Sequence, residues 1–114
     1  MATRASTKHS TYNLFVSVTA NGLPLPATIV TINGVSQTWV LPDTSNHEGY
    51  YLGIVEILSE AIQNGATSVS ITMGNQTSMR QLTGLNQRRN QGMRVLYESV
   101  KRLETRIPGG VNYK

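Results

Sequence analysis

The chain has no cysteine among its 114 residues, which excludes disulfide bonds and thiolate metal sites. Its only two histidines, His9 and His47, lie far apart in sequence, which argues against a histidine-based metal site. No apolar run is long enough to span a bilayer, and no signal peptide is visible. Charge is sparse, at 14% of residues, but the length suits one domain with a modest core. These features lead us to expect a soluble, intracellular (cytoplasmic) domain with no membrane partner and no cofactor.

What charge there is lies unevenly. Residues 1–74 hold Arg4 and Lys8 against Asp43, Glu48, Glu56 and Glu60. Residues 75–114 hold Arg80, Arg88, Arg89, Arg94, Lys101, Arg102, Arg106 and Lys114 against Glu98 and Glu104. The first part is therefore net −2 and the second net +6, an asymmetry that suggests a polyanion partner. A solvated basic helix face gives the same pattern without one.

Periodicity divides the chain into elements. Residues 1–11 are small and polar and read as a disordered, weakly basic arm, with one domain over 12–114. The alternation of Tyr12, Leu14, Val16 and Val18 predicts a strand over 12–19. A second strand is expected over 27–32, and Asn33-Gly34 signals a two-residue hairpin into a third over 35–41, ended by Pro42. Residues 43–47 read as loop, with Ser45 or Asn46 as a helix cap. Tyr51, Ile54, Val55, Leu58 and Ile62 form a helical stripe closed by Asn64-Gly65. A fourth strand over 68–73 follows a helix and so should run parallel to one of the first three. Met79 and Leu82 suggest a short helix over 75–83, followed by loop over 85–91. Met93, Leu96, Val100, Leu103 and Ile107 predict the last helix, stopped by Pro108-Gly109-Gly110. Val111 to Lys114 is too short to assign, but can begin one more strand.

This α/β order resembles the ribonuclease H family. Gly22-Leu23-Pro24-Leu25-Pro26-Ala27 is similar to that family's Gly-Asn-Pro-Gly-Pro-Ala turn. Tyr51, Gly53-Ile54-Val55 and Leu58, then Ala61 and Gly65, resemble its first helix. Gln81-Leu82-Thr83-Gly84 resembles the Gln-Leu/Val-x-Gly ending its second, and Leu96-Tyr97-Glu98 with Leu103 a later one. The resemblance implies a mixed sheet built on a three-strand antiparallel meander, then a helix, a parallel strand and C-terminal helices.

The resemblance also places the family's metal-binding carboxylates. Counting from Gly22, Tyr51 and Gln81, they fall on Ser17, Tyr50 and Gly74. The family's last Asp lies beyond a fifth strand, and this chain stops at Lys114, which suggests a shortened member. Two-metal phosphodiester cleavage needs several carboxylates to hold its ions. The expectation is therefore a noncatalytic domain with no metal site. The resemblance points to nucleic acid, RNA or an RNA–DNA hybrid, held by Arg80, Arg88, Arg89, Arg94 and Lys101, and it allows a viral or retroelement origin. Tyr50 either stacks on a base or fills the space the metals left. A protein-interaction or homodimeric assembly domain is the alternative, since a shortened sheet would expose an edge. An enzyme of another kind has less behind it: Ser17, His47 and Asp43 show no nucleophile-elbow spacing.

Overall fold

The computed structural model describes residues 8–19, 22, 27–40, 46–73 and 91–114. Strand β1 spans His9–Thr19, β2 Ala27–Ile32 and β3 Val35–Val40. Helix α1 spans Asn46–Gln63, β4 Ser68–Met73, α2 Gln91–Glu104 and β5 Val111–Tyr113. The strands form one mixed sheet in the order β3-β2-β1-β4-β5. β1–β2 and β2–β3 are antiparallel, while β1–β4 and β4–β5 are parallel. The meander, the crossover helix and the parallel fourth strand are those the sequence pattern predicts.

Alternation builds the core. Tyr12 and Leu14 of β1, Val30 of β2, and Val69, Ile71 and Met73 of β4 are buried beneath the helices. Tyr50, Tyr51, Ile54, Ile57, Leu58 and Ala61 of α1 meet them, and Val100 of α2 joins the same cluster. Each fully buried aliphatic side chain contributes about 1.5–3 kcal/mol. The odd residues of β1, from His9 to Ser17, are all exposed on the opposite face.

Local chemistry fixes the connections. Asn33 and Gly34 take φ of 51° and 86°, the left-handed pair that a type I′ hairpin requires. The Asn33 side chain then pins the turn to β1: its Oδ1 accepts the Asn13 amide at 2.7 Å. Helix α1 ends in a Schellman motif, with the Gly65 amide donating to Ile62 at 3.1 Å and the Ala66 amide to Ala61 at 2.9 Å. The Lys8 ammonium adds a 2.7 Å bond to the Asn64 carbonyl.

One expectation is corrected, and one left open is filled. β1 begins at His9, so residues 9–11 belong to the sheet and not to a disordered arm. Their backbone pairs with β4 in register His9↔Ser68 to Thr11↔Ser70, and the Lys8 carbonyl accepts the Thr67 amide at 2.8 Å. Pairing with a parallel neighbour thus orders a polar segment that has no apolar alternation of its own. A fifth strand is also present: Val111–Tyr113 pairs with Val69–Ile71. The expected helix over 75–83, the loop over 85–90 and Leu41 lie outside the described residues. Among the described residues, no helix is long and apolar enough to cross a membrane.

Candidate nucleic-acid interface

Helix α2 carries two of the exposed basic residues of the described chain, Arg94 and Arg102. Its buried side, through Val100, and its half-buried Leu96, Tyr97 and Leu103 dock it beside α1. The Tyr97 ring lies tilted against Tyr51, with centroids 6.4 Å apart. That docking turns Arg94, Glu98 and Arg102 outward, at four-residue spacing on one face, and Arg106 is exposed just past the helix end. Glu98 sits one turn from each arginine and tempers the positive charge between them.

Lys101 has a different role. Its ammonium lies 3.3 Å from Glu104 Oε1 and 5.4 Å from the centre of the Tyr97 ring. It is half-buried and committed to its own helix. Glu104 Oε2 in turn accepts a hydrogen bond from the Tyr113 hydroxyl, which ties α2 to β5. Burial, and then this carboxylate, push the Tyr113 phenol far above its ordinary pKa. Tyr12 is raised in the same way, by burial and then by Glu60, whose carboxylate lies 3.4 Å from its hydroxyl.

Of the other predicted contacts, Arg80, Arg88, Arg89 and Gly74 lie outside the described residues. Ser17 is exposed on β1, paired with Ile29. Tyr50 is 3% exposed and forms part of the core, so its ring has no free face for a base; it fills space. Ser17 and Tyr50 are not brought together. Val16 points at α1, so Ser17, the next residue, points to the far side of the sheet. The N-terminal turn of α1 is pressed onto β1 and β2: a Cβ on Gly49 would lie 2.7 Å from Val16 Cγ1 and 2.5 Å from Thr28 Cγ2. An outward hydroxyl and an enclosed phenol are neutral donors on opposite faces, so these residues do not fit a pair of divalent cations. Among the described residues, no three His, Asp or Glu side chains gather as metal ligands do.

Two features escaped the sequence reading. Arg102 and Arg106 are exposed partners to Arg94, and the four-residue spacing on from Arg94 was the available signal for Arg102. His9 bridges two serines on β4, with Nδ1 2.6 Å from Ser68 Oγ and Nε2 3.0 Å from Ser70 Oγ. Nothing in sequence pairs His9 with residues about sixty positions away.

No family model matches the chain, and no curated protein matches it in sequence. Solved structures do. The N-terminal RNase H domain of Rv2228c from Mycobacterium tuberculosis superposes with a TM-score of 0.64 at 16% identity, covering 90% of this chain and 84% of that one. RNase H1 of Halobacterium salinarum gives 0.65 at 15% identity over 91% and 83%. LC11-RNase H1, solved in complex with an RNA/DNA hybrid, gives 0.64 at 13% identity over 90% and 83%. The fold is therefore ribonuclease H-like.

Proposed function

We propose that this ribonuclease H-like domain binds nucleic acid, RNA or an RNA–DNA hybrid, without cutting it. The observation that carries the reading is the outward row of α2, where Arg94 and Arg102 are exposed and Arg106 continues the basic surface. Guanidinium groups so placed hold phosphates and give affinity that falls with salt and depends little on sequence. Arg80, Arg88 and Arg89 add to the same basic half of the chain. A structural neighbour that holds a hybrid supports the choice of ligand. The absence of cleavage rests on side-chain chemistry: Ser17, Tyr50 and Gly74 stand where the resemblance puts metal-binding carboxylates, and Val16, the neighbour of Ser17 that faces α1, is no carboxylate either.

Fluorescence anisotropy tests this with labelled single-stranded RNA, duplex RNA and an RNA–DNA hybrid, in Mg²⁺, with the probe checked for cleavage. Three phosphate contacts predict about a 40-fold loss of affinity between 50 and 200 mM salt. Replacing Arg94 and Arg102 together by Gln should reduce the salt slope by about two. No binding at micromolar protein sinks the reading, and a cleaved probe sinks its noncatalytic half. An assembly role is the second reading, favoured by the edge of β3, which no described element covers.

A further inference from the structure

We propose that β3 is a self-association edge, pairing antiparallel with the β3 of a second copy of this chain about a two-fold axis at Gln37. Among the described residues β3 is the outermost strand and is hydrogen-bonded on one side only, to β2. The opposite edge, β5, is three residues long. β3 has six, Val-Ser-Gln-Thr-Trp-Val, with no charge, proline or glycine, and six consecutive register pairs with β2 leave no bulge. Monomeric proteins guard such an edge with Lys, Pro, a bulge or a covering element. Here Val35 and Val40 stand 65% and 53% exposed.

The register follows from the hairpin. A two-residue Asn33-Gly34 turn makes Ile32 and Val35 the closing hydrogen-bonded pair. Val35, Gln37 and Trp39 then turn their backbone groups toward β2, and Ser36, Thr38 and Val40 turn theirs outward. With Gln37 opposite itself, Ser36 of each copy meets Thr38 of the other, which forms two hydrogen-bonded pairs with facing hydroxyls. Val35 meets Trp39 of the second copy on the helix side, an apolar and aromatic match. A shift of one residue sets partners on opposite faces. A shift of two sets Val40 against Ser36 and Trp39 against Gln37. A groove of about 550 Å³ lies between Val35 and Gln37 of β3 and Glu56, Ile57, Glu60 and Gln63 of α1, and leaves room for side chains of the second copy. The occupant is a second copy because the strand is complementary to itself in this one register.

Sedimentation equilibrium, without nucleic acid, tests the pairing independently of the binding reading. The mass should rise from 12.5 kDa toward twice that value as concentration rises from roughly 1 to 500 µM. Val35→Lys is tolerated at an exposed position in the monomer and should hold the mass at 12.5 kDa throughout. The chain has no cysteine, so single replacements report cleanly. Under mild oxidation Gln37→Cys should cross-link to its own copy at least about tenfold faster than Thr105→Cys, an exposed control away from the edge, because directly opposed strand residues sit within disulfide reach. A constant monomer mass, a Val35→Lys variant that still dimerises, or equal cross-linking at both positions overturns the proposal.

Discussion

Gly49→Ala tests the seating of α1 on the sheet. The added methyl would lie 2.5 Å from Thr28 Cγ2 and 2.7 Å from Val16 Cγ1, about 1 Å inside normal carbon contact. Both obstacles are β-branched side chains, stiff at χ1, and Thr28 is fully buried. Neither can swing aside, so the first turn of α1 must lift and lose contacts along Tyr50 and Gly53. Overpacking of this kind costs about 1–3 kcal/mol. The helix-propensity gain is at most about 1 kcal/mol, and less in a first turn. The net loss is about 1–2 kcal/mol, or about 4–8 °C in Tm for a chain of this size. Gly53→Ala is the internal comparison. Its methyl would meet Leu14 Cδ1 at 2.7 Å and Val30 Cγ1 at 3.1 Å, but a terminal leucine methyl can rotate, and mid-helix the propensity gain is full. That variant should melt within about 4 °C of the parent. Thermal and urea unfolding followed by circular dichroism reads both. A Gly49→Ala protein that melts at or above the parent refutes the close approach.

Two further predictions concern polar groups inside the fold. Among the described residues Thr28 Oγ1 is buried with no hydrogen-bond partner, so Thr28→Val should raise stability by about 1 kcal/mol in urea unfolding; a loss of that size would mean the hydroxyl is bonded after all. The Tyr113 phenol has a folded pKa raised above its unfolded value near 10, by burial and then by Glu104. Its contribution is fully present below pH 10 and declines above it, because the unfolded chain releases the proton there while the folded chain keeps it, at up to about 1.4 kcal/mol per pH unit. Tyr113→Phe should flatten the alkaline limb of a stability–pH profile between pH 10 and 11, and an unchanged limb would refute the assignment.

The legible parts of the fold were those that local pattern determines. Period-two alternation and Asn33-Gly34 specified β2, β3 and their turn, and a stripe closed by Gly65 specified α1, because each depends on neighbours within a few residues. β5 and the start of β1 were hidden because they exist through pairing with β4. Val111–Tyr113 is too short to announce itself, and His9 to Thr11 carries no apolar alternation. The same division explains the site. Spacing on a helix says which residues share a face, but not which neighbour a side chain meets. Arg94 and Lys101 are both basic residues of α2, yet among the described residues Lys101 has a carboxylate and an aromatic ring within reach and Arg94 stands exposed. Tyr50 and Tyr51 point in directions about 100° apart on α1, and both are buried because sheet and second helix enclose that end of α1. A tyrosine at a position expected to face a cleft thus becomes a core residue once the helix seats on glycine. The scaffold has closed inward at Tyr50, one of the three positions where the resemblance places a metal-binding carboxylate, while among the described residues Arg94 and Arg102 of α2 and Val35 and Val40 of the uncharged β3 stay open to solvent.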